Sequence, residues 1–129
     1  MIAKMKQAKK VLLIEDEAVL LELFADKFLR EGFKVFQTTT AEEGMRLAKR
    51  NKPDLILLDI ILPKMDGLTM LKILRKDPWG KNVPIIILSN VTDQQKVSQA
   101  MRLGVYDYTI KTDLILNDLV KQVKEVTDF

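Results

Sequence analysis

The chain has 129 residues, of which 47% are hydrophobic and 30% are charged, as expected for one soluble domain with a single core. It has no cysteine and no histidine, which excludes disulfides, ordinary zinc, haem and iron–sulfur sites, and histidine bases. Any metal must be a hard cation bound by oxygen, such as Mg²⁺, Mn²⁺ or Ca²⁺. Neither a membrane-spanning run nor a secretory signal is found, so we expect a cytoplasmic protein without membrane contact.

The net charge of +3 comes from the N-terminus. Four of the 21 basic residues, Lys4, Lys6, Lys9 and Lys10, lie in the first ten positions, which leaves 17 basic against 18 acidic residues. We therefore divide the chain into a basic tail, residues 1–9, and one domain, residues 10–129. The tail is either a solvated terminus or a weak contact for an acidic partner, and direct nucleic-acid binding is not expected.

Apolar runs alternate with segments of helical periodicity along the domain. The runs predict five strands, at 11–15, 33–38, 54–59, 83–88 and 105–109. Helices are predicted at 18–30, 40–50, 68–75, 92–103 and 114–126, with capping-box patterns at the start of the second and fourth. Near-continuous Val, Ile and Leu indicates strands buried on both faces. Five strand–helix units in succession predict an α/β fold, a doubly wound parallel sheet with helices on both faces.

Polar side chains follow the predicted strands where each strand ends. Glu15 and Asp16 come after the first strand, Asp59 ends the third, Ser89 follows the fourth and Lys111 follows the fifth. In an open parallel sheet, ligands bind beyond these carboxyl ends. Three carboxylates in one place repel each other and are partly desolvated, and a divalent cation relieves both effects. We therefore predict a Mg²⁺ site on Glu15, Asp16 and Asp59, with Mn²⁺ as an alternative.

The same residues suit phosphoryl transfer, in which a nucleophile is held in line and the charge on the phosphoryl oxygens is neutralised. Asp59 is the predicted nucleophile and would form an aspartyl phosphate. Lys111 would pair with one phosphoryl oxygen, and the Ser89 hydroxyl would donate a hydrogen bond to another. Because the chain has no histidine, a phosphohistidine donor must belong to another protein.

Four segments at these strand ends resemble the receiver domains of two-component response regulators. They are Glu15-Asp16, Leu-Leu-Asp-Ile-Ile-Leu-Pro-Lys-Met-Asp-Gly at 57–67, Ile-Leu-Ser at 87–89 and Gly-Val-Tyr-Asp-Tyr-Thr-Ile-Lys at 104–111. The resemblance extends from about residue 10 to residue 126. It implies a flavodoxin-like sheet of five strands in the order 2-1-3-4-5 with five helices, Mg²⁺-dependent phosphorylation of Asp59, and a main-chain carbonyl ligand at Ile61.

The resemblance also implies partners and a switch. The phosphoryl group would come from a sensor histidine kinase or a histidine phosphotransfer protein. In the family, the hydroxyl at the position of Ser89 then moves inward and the aromatic at the position of Tyr108 changes rotamer. This remodels the face of the fourth helix, fifth strand and fifth helix, which would control binding to a downstream protein target. The chain would be a signalling switch and not an enzyme, either monomeric or dimeric on phosphorylation.

Three residues depart from the family pattern. Thr112 follows Lys111 where the family usually has a proline in a cis peptide, and a cis bond without proline costs about 2.5 to 4 kcal/mol. We therefore expect a trans peptide and a looser loop here. Asn90 stands where the family often has a small residue beside the phosphoryl group, which would alter access to it. Glu15 replaces a more common aspartate and adds one methylene.

Three other functions are kept as alternatives. A degenerate receiver would act as a constitutive interaction module, which the presence of Asp59, Ser89 and Lys111 argues against. A Mg²⁺-dependent phosphatase or phosphotransferase with an aspartyl nucleophile would need a substrate cap, and the short connections leave little space for one. A flavin or nucleotide binder would need a Gly-rich phosphate loop, which is not found after the first strand.

Overall fold

Five parallel strands form the centre of the computed structural model, which describes residues 7–129. The strands are β1 (Lys10–Ile14), β2 (Lys34–Thr38), β3 (Leu55–Leu58), β4 (Ile85–Ser89) and β5 (Asp107–Ile110). The helices are α1 (Ala18–Arg30), α2 (Ala41–Asn51), α3 (Gly67–Lys76), α4 (Gln94–Arg102) and α5 (Leu116–Thr127). The strand order is β2-β1-β3-β4-β5, so the predicted flavodoxin-like fold with five helices is confirmed. Positions 1–6 of the predicted basic tail lie outside the described residues.

The three central strands are buried on both faces, which explains their unbroken apolar sequences. Along β1, β3 and β4 successive side chains point to opposite faces of the sheet. One set packs under α2, α3 and α4, and consists of Leu12, Ile14, Ile56, Leu58, Ile85 and Ile87. The other set packs under α1 and α5, and consists of Val11, Leu13, Leu55, Leu57, Ile86 and Leu88. Within residues 7–129 no helix combines the length and apolar character that a membrane crossing requires.

The starts of β4, α4, β5 and α5 each lie two residues after the predicted start, and the structure shows the reason for α4 and β5. The capping box at residue 92 does not form, because Asp93 caps α4 instead and its Oδ1 accepts the N–H groups of Gln95 and Lys96. The predicted fifth strand was placed two residues too early. Its ladder begins only at Asp107, opposite Ile86, after a chain reversal at residue 104. The other predicted box forms by half: Thr40 caps α2 by accepting the N–H of Glu43, while the Thr40 N–H donates to Thr38 Oγ1 and not to the Glu43 side chain.

A glycine sets the path of the chain beyond the end of β3. A Cβ atom at Gly67 would lie 2.2 Å from the carbonyl oxygen of Asp59. Any side chain at this position would therefore displace the backbone. The Gly67 N–H donates to the Ile60 carbonyl at 2.8 Å, and Asp66 caps α3 by accepting the Thr69 N–H. The start of α3 is therefore packed directly against the backbone of Asp59.

Candidate functional site

The three predicted metal-binding carboxylates come together at the carboxyl ends of β1 and β3. One oxygen from each of Glu15, Asp16 and Asp59 lies within 4.8 Å of the other two. Glu15 and Asp59 are only 3% and 4% exposed, whereas Asp16 faces solvent. The two strands are neighbours in the sheet, so their ends place these carboxylates side by side.

Lys111 extends from the end of β5 into this cluster. Its Nζ donates to Asp59 Oδ2 at 2.6 Å, forms an ion pair with Glu15 and lies 3.5 Å from Glu17 Oε1. Burial lowers the pKa of Lys111, but the hydrogen bonds to Asp59 and Glu15 outweigh it and leave the pKa above its usual range. The ammonium therefore stays charged. The contact with Glu17 was not predicted, because Glu17 belongs to the loop before α1 and no pattern distinguishes it.

Glu15 is an unusual carboxyl group. Burial raises the pKa of Glu15 to about 7, even though the hydrogen bond from Lys111 acts in the opposite direction. Its buried Oε1 touches the Lys111 ammonium but accepts no hydrogen bond of normal geometry from the part of the chain that the structure describes. The site therefore has three carboxylates against the one ammonium of Lys111, and a buried carboxylate oxygen without a well-aligned hydrogen-bond donor. Such a group of oxygen ligands fits a hard divalent cation.

The main chain after Asp59 supports the carboxylate. The Ile61 N–H donates to Asp59 Oδ1 at 3.2 Å, which leaves Oδ2 to Lys111. The structure thus places Ile61 beside Asp59, while the metal-binding role of its carbonyl stays a prediction. Its side chain is 55% exposed at the rim of the site.

The two predicted switch residues meet at one residue of the loop between β4 and α4. Ser89 is buried at the end of β4, and its Oγ accepts the Val91 N–H at 3.2 Å. Tyr108 is half-buried on β5, and its hydroxyl donates to the Val91 carbonyl at 2.6 Å. Burial raises the pKa of Tyr108, which keeps the phenol protonated as a donor. The part played by Val91 was not predicted, since only its main chain is used.

The segment after Lys111 forms a turn with trans peptide bonds, and the looser loop expected here stays a prediction. All peptide bonds between residues 7 and 129 are trans, which includes the Lys111–Thr112 bond. Residues Lys111–Asp113 form one turn of 3₁₀ helix, and the Thr112 N–H donates to Asn90 Oδ1 at 3.1 Å. Two of the three positions that depart from the family pattern are therefore in direct contact.

Comparison with known sequences identifies a family and several longer relatives. The family model of the response regulator receiver domain matches residues 11–124. The probable C4-dicarboxylate response regulator DctR of Halalkalibacterium halodurans is 41% identical over 106 residues, or 79% of this chain and 44% of the relative. The protein-glutamate methylesterase/protein-glutamine glutaminase of Archaeoglobus fulgidus is 34% identical over 121 residues, or 91% of this chain and 34% of the relative. The chain thus spans less than half the length of these relatives.

Solved structures give the same classification. The receiver domain of the sensor histidine kinase PA1611 from Pseudomonas aeruginosa, which has a magnesium ion coordinated in its active site cleft, superimposes with a TM-score of 0.84. It is 25% identical, and the match covers 95% of this chain and 100% of that one. A CheY-like receiver domain protein from Methanospirillum hungatei has the same fold, with a TM-score of 0.87, 24% identity and 95% of each chain covered. The chain belongs to the response regulator receiver domain family.

Proposed function

We propose that the chain is a phosphoacceptor signalling switch. It accepts a phosphoryl group on Asp59 from a phosphohistidine of a partner sensor histidine kinase or histidine phosphotransfer protein, in the presence of Mg²⁺ or Mn²⁺. The observation that carries the proposal is the placement of Asp59. Its carboxylate is buried among two further carboxylates and lies 2.6 Å from the ammonium of Lys111.

The chemistry follows from the partners of the two Asp59 oxygens. An oxygen of the carboxylate attacks phosphorus, the O–P bond forms, and the P–N bond to the donor imidazole breaks with its electron pair left on nitrogen. The Ile61 N–H holds one oxygen of Asp59 in place. Lys111 then pairs with a phosphoryl oxygen, and the Ser89 hydroxyl, whose proton is not used by its contact with Val91, donates to another.

The carboxylates of Glu15, Asp16 and Asp59, with the Ile61 carbonyl, are the groups that would hold the cation. A bound divalent cation would offset the repulsion between these carboxylates and the incoming anionic phosphoryl group. The surplus of negative charge around Lys111 and the unsatisfied Oε1 of Glu15 support this assignment. The magnesium ion in the cleft of the Pseudomonas receiver domain supports it as well.

The contacts of Val91 suggest how phosphorylation reaches the surface. A Ser89 hydroxyl that moves inward to donate to a phosphoryl oxygen would draw along or release the Val91 N–H that it accepts, and the Val91 carbonyl is also the acceptor for Tyr108. A shift of this loop changes the position of Tyr108 and so the face formed by α4, β5 and α5. A downstream protein target would bind this face, and the chain would be a monomer or a phosphorylation-dependent dimer.

Intact mass after incubation with acetyl phosphate and Mg²⁺ tests the proposal without knowledge of the partner. We expect one phosphoryl adduct that is absent when EDTA is added and absent in Asp59→Asn. The matched control is Asp118→Asn, an exposed carboxylate on α5, which should keep the adduct. A folded, Mg²⁺-binding chain that forms no adduct would favour the degenerate receiver. An adduct that survives in Asp59→Asn would remove Asp59 as the nucleophile.

A further inference from the structure

One hydrogen bond joins the loop after β4 to the loop after β5. The Thr112 N–H donates to Asn90 Oδ1 at 3.1 Å across 22 positions of sequence. Asn90 directly follows Ser89, and Thr112 directly follows Lys111. The bond therefore connects the immediate neighbours of the two side chains proposed to bind the phosphoryl group.

The placement of Lys111 depends on the main chain from which it extends. A lysine side chain has several rotatable bonds and loses rotamer entropy when it is fixed. Here its ammonium is held at 2.6 Å from Asp59, so the backbone position at 111 must be defined. Lys111 opens the 3₁₀ turn, which is closed by the Leu114 N–H donating to the Lys111 carbonyl. The first N–H groups of such a turn have no partner inside it, and Asn90 supplies one to Thr112.

The loop that carries Asn90 is itself anchored. Val91, the next residue, donates its N–H to Ser89 Oγ and accepts the hydroxyl of Tyr108. Both contacts join the loop to the ends of β4 and β5. Asn90 thus belongs to an anchored loop. The turn at Thr112 is exposed, and the hydrogen bond from its N–H to Asn90 Oδ1 joins it to that loop.

We propose that Asn90 is a positioning residue for Lys111. Its side-chain oxygen holds the Thr112 N–H, and this fixes the start of the 3₁₀ turn so that the Lys111 ammonium points at Asp59. Asn90 thereby speeds phosphorylation without touching the reacting atoms. The inference rests on the proposed function for its effect on rate, but the contact itself and the position of the ammonium can be measured without phosphorylation.

The first test uses NMR on the metal-free chain. In Asn90→Ala, hydrogen exchange of the Thr112 amide and of the Lys111 ammonium should become about twofold to tenfold faster, which is the range that one neutral hydrogen bond supports. Asn90→Asp keeps a side-chain oxygen at this position and should restore the protection of the Thr112 amide. Thr92→Ala, in the same exposed loop, should leave both exchange rates unchanged.

The second test measures the rate of labelling by acetyl phosphate at saturating Mg²⁺. Asn90→Ala should slow labelling by about twofold to tenfold while the Mg²⁺ affinity and the thermal midpoint stay the same. Thr112→Pro removes the donor N–H, so adding Asn90→Ala to it should have no further effect. In a Thr112→Ala background, which keeps the N–H, the effect of Asn90→Ala should persist.

Two results would overturn the inference. One is unchanged exchange of the Thr112 amide or of the Lys111 ammonium in Asn90→Ala, and the other is additive effects of Asn90→Ala and Thr112→Pro on labelling. If the unsubstituted chain takes no label, the proposed function fails. The positioning of Lys111 by Asn90 is then still decided by the two exchange rates.

Discussion

Arg75 and Lys111 are both partly buried cations, yet their surroundings are opposite. Arg75, near the end of α3, donates to four main-chain carbonyls at 2.7 to 3.1 Å, those of Gly80, Val83, Leu103 and Gly104. Across residues 7–129 no carboxylate lies within ion-pair distance of it. Lys111, at the carboxyl end of the sheet, is instead in contact with the carboxylates of Glu15, Glu17 and Asp59.

This difference separates a cation that the fold itself satisfies, Arg75, from the one that we propose to act on the phosphoryl group, Lys111. Arg75 is satisfied by neutral dipoles that belong to the fold, and it ties the end of α3 to the loop before β4 and to the end of α4. Burial lowers the pKa of Arg75, yet a guanidinium stays protonated. Around Lys111 the carboxylates outnumber the cation, and a buried oxygen of Glu15 lacks a directed donor. Such a surplus can be relieved by a ligand, which supports this end of the sheet as the candidate site.

The largest effect, on the free energy of unfolding, is expected from replacing Arg75. Arg75→Met leaves four carbonyls without their donor, so the free energy of unfolding should fall by about 3 kcal/mol. Urea unfolding measures this loss. The matched control is Lys72→Met, at an exposed position on the same helix, which should change the free energy of unfolding by less than about 0.5 kcal/mol. The folded fraction should still be labelled at Asp59. A loss below about 0.5 kcal/mol for Arg75→Met would remove the distinction drawn here.

Replacement of Lys111 is expected to change the rate of labelling. Lys111→Met should slow labelling by acetyl phosphate about a hundredfold, because a charged donor aimed at the phosphoryl oxygens is lost. The rate of adduct formation by intact mass provides the measurement. A slowing of less than threefold would show that Lys111 serves only to neutralise the carboxylates in the unphosphorylated chain.

The raised pKa of Glu15 predicts a pH dependence of stability. Its pKa is about 7 in the folded chain against an ordinary value of 4.5, so the folded state binds the proton more tightly. Its contribution to stability is present below about pH 4.5 and is lost as the pH rises through 7. Without metal, the unfolding free energy should fall between pH 4.5 and pH 8 by about 3 kcal/mol more than in Glu15→Gln. Parallel pH profiles of the two chains would contradict the burial of this carboxyl.

The smallest effect concerns the hydrogen bond between Tyr108 and Val91. Tyr108→Phe removes a donor at 2.6 Å and should lower the unfolding free energy by about 1 kcal/mol. The rate of labelling should stay the same, because the hydroxyl does not touch the carboxylate cluster. Tyr108→Ala should also be labelled but should bind its protein target differently. A variant that loses labelling would place Tyr108 in the site itself.

The sheet and the site residues were predictable because each strand carries its own signal. The apolar runs predict β1, β3 and β4. Because parallel strands bring their carboxyl ends to one edge of the sheet, Asp16 and Asp59 are expected to lie near each other. The start of α4 was misplaced because Thr92 and Asp93 are both good caps, and only the path of the loop selects Asp93. The bond between Asn90 and Thr112 joins two irregular loops by one side-chain rotamer and one N–H, which no periodic pattern encodes.

The position of the phosphoryl group in the labelled chain decides whether Asp59 is the nucleophile. The labelled chain would be reduced with borohydride, which converts an aspartyl phosphate to homoserine, and its peptides would be sequenced by mass spectrometry. We expect homoserine at position 59 and at no other carboxylate, with none formed in the presence of EDTA. Homoserine at Asp16 or at a carboxylate away from the cluster would contradict the assignment of this end of the sheet as the phosphoacceptor site.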